Sequence, residues 1–173
     1  MPHATVPRHS AQDAQVANPW LRTTRADPAV ARLADEHYSR QTPGSRQFTP
    51  PGQPIVLYVP GPLWPFKAAA AWAWWRPHPD KAHRFDGYDG WWQCSLFRNT
   101  PDSGYRSSDL VQAAIPWALE AWGTPPYGFD TYVWPEKLRS TNPGYCYQIA
   151  GWRKDGWTKD GKKRRLYLPW PMT

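Results

Sequence analysis

The stretch that decides the fold is WWQCSLFRNTPDSGYRSSDLVQAAIPWALEAWGTPPYGFDTYVW, residues 91–134. Aromatic and β-branched side chains near its two ends predict strands over 91–97 and 129–134. Between them, apolar residues recur on one helical face, which predicts a helix that begins at Ser107 or Ser108 and ends at the next glycine. This order of strand, loop, helix and strand predicts an α/β unit in which helices cover a sheet.

Further elements are predicted before this stretch. Asp27-Pro28 predicts a helix start, because Asp is a favoured N-cap and Pro fits the first helical position. The helical spacing of apolar residues continues to about Tyr38. β-branched residues predict a strand over 55–59, and bulky Trp side chains favour a strand over a helix at 68–75.

The pattern continues after residue 134. Asn142-Pro143 predicts a short helix that ends at Gly151, and residues 164–168 predict a last strand. A chain of 173 residues is long enough for one domain with a buried core. We therefore expect an α/β (α+β sandwich) fold, with a mixed sheet flanked by helices in a single domain.

The two ends of the chain differ from this core. Residues 1–26 are polar and aperiodic, which predicts a flexible N-terminal arm whose deletion leaves stability nearly unchanged. Residues 27–173 then form the domain and end in a basic segment. The net charge is +7, and residues 151–173 carry seven basic and only two acidic side chains.

This basic segment indicates a polyanion partner, DNA above all, although a merely solubilising tail has the same composition. The chain also has 13 Trp, too many for all to be core, so some are expected to be exposed for stacking on a flat partner. The side chains expected to contact DNA are Arg153, Lys154, Lys162, Lys163, Arg164 and Arg165.

The sequence predicts a soluble, cytoplasmic protein with no membrane partner. Residues 1–26 contain no apolar stretch typical of a secretory signal. The most apolar run, 68–75, is too short to span a bilayer. Cys94 and Cys146 do not form a CxxC pair, which favours two buried, reduced thiols. Nothing in the sequence predicts the oligomeric state.

Common catalytic signatures are absent from the sequence. There is no GxGxxG, P-loop, HExxH or GxSxG motif, and the five His are too scattered to predict a zinc site. The first candidate cluster is therefore His37-Tyr38-Ser39-Arg40, at the end of the first helix. His37 and Tyr38 are suited to proton transfer, but a helix-capping His and a half-buried Tyr explain the same residues.

A second cluster surrounds the predicted strand and helix of 91–122. Arg98 and Asn99 end the strand, where Arg is well placed to hold an anion, although an ion pair with Asp102 or Asp109 is the simpler explanation.

Ser107 and Ser108 begin the helix, whose free amides suit a phosphate or carboxylate, and simple capping is again the alternative. In the short helix after Asn142, Tyr145 and Tyr147 either line a pocket or only pack.

These residues resemble a known superfamily. The run Tyr147-Gln148-Ile149-Ala150-Gly151-Trp152, followed by basic residues and a strand, resembles the last helix of the GNAT acyltransferases. More specifically, HYSRQTPGS (37–45), CSLFRN (94–99) with SS (107–108), and NPGYCYQIAGW (142–152) resemble phage-associated Mom-like proteins. These are GNAT-like and attach a carbamoylmethyl group to adenine in phage DNA, which blocks restriction enzymes.

The resemblance implies a transferase acting on DNA bases in a host cytoplasm, with His37, Tyr38 and Arg98 as catalytic residues. It implies Ser39, Arg40, Asn99, Ser107, Ser108, Tyr145 and Tyr147 as substrate-binding residues. An acyl-coenzyme A-like donor and iron are its candidate cofactors. However, residues 98–108 lack the Arg/Gln-x-x-Gly-x-Gly/Ala pyrophosphate loop, and the sequence shows no iron ligand set.

Two other functions fit the same sequence, an acetyltransferase on a small amine or a hypermodified base, and a non-catalytic DNA-binding protein. A GNAT-like fold also implies a structural feature that the composition does not predict. Its sheet should splay near Phe97–Arg98 and open a cleft towards residues 129–134. Tyr38, Arg98, Ser108 and Tyr145 should then converge on that cleft.

Overall fold

The computed structural model describes residues 17–38, 40, 42–81 and 83–171. Its described part forms one seven-stranded sheet and three α-helices, in agreement with the predicted α/β class and the mixed sheet. The elements are β1 (Leu21–Thr23), α1 (Pro28–Ala34), β2 (Gln53–Val59), β3 (Ala70–Arg76), β4 (Trp91–Asn99), α2 (Ser107–Trp122), β5 (Gly128–Val133), α3 (Tyr145–Ile149), β6 (Arg153–Trp157) and β7 (Arg164–Pro169).

The strand order across the sheet is β1-β2-β3-β4-β5-β7-β6. β4 and β5 run parallel, and every other neighbouring pair is antiparallel. A parallel pair requires a crossover connection, which α2 provides between β4 and β5. The carboxyl ends of β4 and β5 therefore lie at the same edge of the sheet.

Each face of the sheet is covered by helices. Val30, Leu33 and Ala34 of α1 pack in one buried cluster with residues of β2, β3 and β4. The other, larger cluster joins the opposite face to α2 and α3. Local chemistry starts α1 as predicted, because the Asp27 carboxylate accepts hydrogen bonds from the amides of Ala29 and Val30.

Trp side chains fix α2 to the sheet. The indole of Trp74, fully buried on β3, donates a hydrogen bond of 2.8 Å to the carbonyl of Ala114. Trp20 donates a bond of the same length to the carbonyl of Leu110. Both indoles thus bury a large apolar surface and satisfy their one donor.

The prediction of a flexible N-terminal arm is wrong for residues 17–26. Trp20 is only 1% exposed, and Leu21–Thr23 pair with β2 as an edge strand. The sequence pattern missed this because a three-residue strand has no periodicity of its own and forms only through distant partners. Residues 1–16 lie outside the described part of the chain.

None of the helices in the described part of the chain has the length and apolar character needed to cross a bilayer. The longest, α2, has 16 residues and one exposed face.

Candidate functional site

The candidate site is a cleft that opens where β4 and β5 stop pairing. The parallel register runs from Trp91 with Gly128 to Cys94 with Thr131, and the strands separate beyond that point. At the same place β4 contains a β-bulge, because Trp74 pairs with Cys94 while Ala73 pairs with Leu96. A bulge bends its strand and increases the local twist, which explains the separation.

The cleft has a volume of about 290 Å³, and its lining includes residues from the packed clusters on both faces of the sheet. The predicted splay thus occurs, beginning at Ser95, slightly before the predicted position. Predicted site residues that line the cleft are His37, Tyr38, Arg98, Asn99, Ser107, Tyr147 and Lys163. These residues come from five separate elements and loops, so their convergence is a property of the fold and not of local sequence.

His37 and Tyr38 follow α1 and enter the cleft as a stacked pair. Their ring centroids are 4.1 Å apart and the ring planes differ by 30°. The Tyr38 hydroxyl donates a long hydrogen bond of 3.4 Å to the carbonyl of Tyr132, on the other side of the cleft. The pair therefore spans the gap between α1 and β5.

The surroundings of this pair set its protonation. Burial, together with the positive charges of Arg98 and Lys163, lowers the pKa of His37 to about 4. Burial raises the pKa of Tyr38 to about 12. At neutral pH, His37 is therefore uncharged and Tyr38 keeps its proton, and burial makes the imidazole a weaker base and the hydroxyl a weaker acid than usual.

Two cations face the cleft. The Arg98 guanidinium lies 3.4 Å from the Glu36 carboxylate, and its Nε has no hydrogen-bond partner among the described residues. Its ion-pair partner is therefore Glu36, and not Asp102 or Asp109 as the simpler sequence interpretation expected. The Lys163 ammonium lies 5.5 Å from the Trp134 ring centroid. This arrangement suits an anionic group such as a phosphate or carboxylate.

Asn99 and Ser107 form the wall between β4 and α2. The Asn99 amide donates to the Tyr105 carbonyl at 2.9 Å and to the Ser107 hydroxyl at 3.1 Å. Among the described residues, no side chain caps α2, whose N-cap residue is Arg106. The capping role considered for Ser107 and Ser108 is thus wrong, and Ser107 instead ties the helix to the strand.

Tyr147 forms the opposite wall. Its hydroxyl lies 3.6 Å from the Cys94 thiol, and its ring contacts Trp72, Phe97 and Trp152. Burial raises the pKa of Cys94 to about 12 and that of Cys146 to about 11. Both cysteines are free, as predicted, and both remain uncharged thiols at neutral pH, which makes them poor nucleophiles.

Some predicted site residues lie away from the cleft. Tyr145 is 56% exposed on the outer side of α3, and Ser108 is not part of the cleft wall. Arg40 binds the Asp35 carboxylate at 2.7 Å and the Gln47 carbonyl at 2.6 Å, so it holds its own loop together. Ser39 lies outside the described residues.

One predicted DNA contact is wrong. Arg165 is only 4% exposed, and its guanidinium binds the carboxylates of Asp130 at 3.0 Å and Asp155 at 2.8 Å. It also packs 3.7 Å from the Tyr88 ring centroid. The sequence could not predict this, because Asp130 is distant in the chain and becomes a neighbour only through the pairing of β5 with β7.

The other basic residues of this segment are more accessible. Arg153, Lys154 and Lys162 are exposed, and Arg164 is half-buried, with its Nε donating to the Asp155 carbonyl. Lys163 connects this group to the cleft, whose wall it shares. The β6–β7 hairpin thus brings one of its cations, Lys163, into the cleft wall, a position that the sequence alone does not predict.

Several cleft residues were not predicted from the sequence. They include Cys94, Thr131 and Cys146, which surround Tyr147. Thr131 donates a hydrogen bond of 2.9 Å to the Cys94 carbonyl, across the last paired position of β4 and β5. The signal that could have found Cys94 and Thr131 is the strand register, because both residues lie where parallel pairing ends.

The cofactors implied by the resemblance do not fit well. Within the described part of the chain, no group of three His, Cys, Asp or Glu side chains is placed to hold a metal ion. Between β4 and α2 the chain forms a 3-10 turn at Pro101–Ser103, in which the Ser103 hydroxyl donates to Asn99 at 2.5 Å. These polar groups bind each other and do not form a pyrophosphate loop.

No family model matches this chain, and no curated protein matches its sequence. The evidence on function is therefore the cleft itself.

Proposed function

We propose that this chain is a GNAT-like group transferase that modifies a nucleobase in DNA, as Mom-like proteins do. The target is the exocyclic amine of adenine, and the outcome is protection of phage DNA from restriction. One observation carries the proposal. Three sequence stretches that resemble Mom-like proteins are far apart in the chain, yet they supply His37-Tyr38, Arg98-Asn99 and Tyr147 to one cleft.

The sheet supports the GNAT part of this proposal. A GNAT-like fold predicts that the two central strands separate and open a cleft, and β4 and β5 separate in this way after Cys94 and Thr131. The helix after the first of these strands begins beside the cleft, with Ser107 in its wall. Both features are ones that the resemblance predicts.

The cleft residues are suited to transfer a group to an amine. The amine nitrogen forms a bond to the activated carbon of the donor, and the bond between that carbon and its leaving group breaks. In the proposed step the Tyr38 hydroxyl donates a proton to the leaving group, while the ring of His37, stacked on it, accepts the proton that the amine loses. Arg98 holds the negative charge of the donor or of a phosphate.

The rim of the cleft supports DNA as the substrate. Lys162 and Lys163 lie on the β6–β7 hairpin with Trp157, which is 52% exposed. A base inside a duplex must be flipped out to reach a cleft, which costs a few kcal/mol. Stacking on an exposed aromatic ring is worth roughly 1–3 kcal/mol per base, enough to offset much of that cost.

Mass spectrometry of nucleosides tests the proposal. DNA from cells that express this chain should contain a modified deoxyadenosine, whose amount should fall strongly in cells that express Tyr38→Phe. Tyr145→Phe is the matched control, since it removes an exposed hydroxyl outside the cleft and should leave the modification intact.

Two results would overturn the proposal in different ways. In the first, the protein binds DNA but forms no modified nucleoside, and replacing both His37 and Tyr38 leaves the binding unchanged. This result would identify a non-catalytic DNA-binding protein. In the second, the protein transfers acetyl groups from acetyl-coenzyme A to a small amine or to an already hypermodified base, but does not modify ordinary DNA. This result would identify an acetyltransferase with a different substrate.

A further inference from the structure

A second cavity lies beside the cleft, and the proposed reaction does not use it. We name it the Phe85 groove. It has a volume of about 460 Å³ and lies between the Pro50–Pro51 segment and the described loop residues 77–81 and 83–86. Gln93 of β4 lines both this groove and the cleft, so the two cavities are neighbours on the same strand.

The wall of the Phe85 groove is aromatic and apolar. It consists mainly of Trp75, Phe85 and three prolines, Pro50, Pro51 and Pro77. The Trp75 indole donates a hydrogen bond of 3.0 Å to the Pro51 carbonyl, which satisfies its donor and fixes one rim. Since the prolines are also rigid, the groove is formed before any ligand binds.

Phe85 is fully exposed, although its neighbours in the chain are firmly held. Arg84 binds the Asp86 carboxylate through two hydrogen bonds of 2.6 and 2.9 Å, and it binds the buried Asp130 at 2.8 Å. Asp86 also accepts a hydrogen bond of 2.7 Å from the hydroxyl of Tyr132, a residue of the cleft. The loop thus presents an unpacked Phe ring from a rigid base next to the cleft.

The rim of the groove offers one cation, Lys81, to a phosphate. Arg84 is neutralised by its two carboxylates, whereas Lys81 is exposed and forms no ion pair among the described residues. The imidazoles of His78 and His83 lie on the same rim, and His83 binds Asp89 at 2.8 Å. A flat apolar surface with a cation beside it fits a nucleobase and its phosphate.

We propose that the Phe85 groove holds the nucleotide next to the modified one, with its base against Phe85 and its phosphate near Lys81. This inference rests on the proposed function, because the neighbour is defined by the base that enters the cleft. It means that the protein holds the neighbouring nucleotide through stacking, whatever its base, at a position where it performs no chemistry.

A double-mutant cycle between protein and DNA tests this inference. The probe is a fluorescent single-stranded oligonucleotide with one adenine, and its variants replace the base on either side of that adenine by an abasic residue. With the wild-type protein, removing the base that occupies the groove should weaken binding by about 5- to 150-fold in fluorescence anisotropy.

Phe85→Ala should bind the intact probe more weakly than the wild-type protein does, by a similar factor. It should show no further loss of affinity with the abasic probe. The ring is fully exposed, so the variant should fold normally. Phe66→Ala is the matched control, because Phe66 is 62% exposed and lies outside the groove. It should keep the full sensitivity to the abasic residue.

The remaining outcomes separate the two proposals. If the wild-type protein binds the probe but the effects of Phe85→Ala and of the abasic residue simply add, the groove does not hold the neighbour, and the proposed function stands. Full binding by Phe85→Ala likewise rejects the groove as a nucleotide site. If the wild-type protein binds neither this probe nor the same sequence as a duplex, both proposals fail together.

Discussion

The Tyr38 hydroxyl reaches across the cleft to the main-chain carbonyl of Tyr132, 3.4 Å away. This distance is near the upper limit for an O–H donor, so the bond is weak. A hydroxyl that is loosely held, keeps its proton at neutral pH and stacks its ring on His37 is free to turn towards a substrate. Tyr38 is for this reason the residue on which the proposed chemistry depends most.

Replacing Tyr38 by Phe removes one hydroxyl with little change in volume. If that hydroxyl transfers a proton, the rate of DNA modification should fall about 100-fold or more, while the unfolding midpoint changes little. The rate is measured as modified nucleoside formed over time with purified protein. Tyr145→Phe should retain the wild-type rate, and an unchanged rate for Tyr38→Phe would leave Tyr38 with a packing role only.

The charge on the β6–β7 hairpin should control DNA affinity. Replacing Lys162 and Lys163 by Ala removes two cations at the rim, so the slope of log K against log salt should decrease by about 1.8 if both bind phosphates. Arg165 is left unchanged because it is buried. Fluorescence anisotropy at several salt concentrations measures the slope.

The matched control for this pair replaces Arg22 and Arg46, two exposed cations outside the hairpin. Equal slopes for the two double variants would show that DNA contacts are not concentrated on the hairpin.

Trp20 should contribute strongly to stability, contrary to its prediction as part of a flexible arm. Its side chain is 1% exposed and its indole bonds to Leu110. Trp20→Ala should cost about 3–5 kcal/mol, which corresponds to a fall in Tm of roughly 6–20 °C. Calorimetry measures this fall, and the exposed Trp157 provides the control, since Trp157→Ala should change Tm only slightly. A small effect for both variants would mean that Trp20 is not part of the core.

His37 should make stability depend on pH. Its pKa is about 4 in the folded protein, below the ordinary value of 6.5 that applies to the unfolded chain, so the unfolded chain binds more protons as pH falls below 6.5. Stability should therefore decrease on acidification, by about 2 kcal/mol between pH 7.5 and pH 5.

Urea unfolding at the two pH values measures this decrease. His37→Gln should remove most of it, whereas His78→Gln, which replaces an exposed imidazole, serves as the control. A decrease of the same size in His37→Gln would assign the effect to other groups.

The sequence predicted those elements whose cause is local. Asp27-Pro28 starts α1 because the cap needs only its own carboxylate and the next amides. A strand was predicted at 68–75 from the size of its Trp side chains, and β3 forms there with slightly shifted bounds, Ala70–Arg76, paired with β2 and β4. The general position of the cleft also followed from the resemblance, since it is defined by which strands are central.

The sequence did not predict features that depend on distant partners. β1 forms only against β2, and the burial of Arg165 requires Asp130 from another strand. The convergence prediction placed Tyr145 of α3 in the cleft, which is wrong, because the orientation of this five-residue helix turns Tyr147 inward and Tyr145 outward. Such a short helix has too few residues for its apolar pattern to define an inner face.

A single residue, Ser95, lies at the point of β4 where the continuous sheet ends and the cleft begins. It is the unpaired residue of the bulge in β4, and its hydroxyl only contacts the Ala73 carbonyl at 3.4 Å. Without it, Cys94 and Leu96 would be adjacent and would still point to opposite faces, as they do now, because successive residues of a strand do so. The insertion therefore leaves the buried pattern intact and changes only the path of the strand. One bulge residue thus coincides with an opening of about 290 Å³, while the residues on either side of it keep the alternation that packs both faces of the sheet.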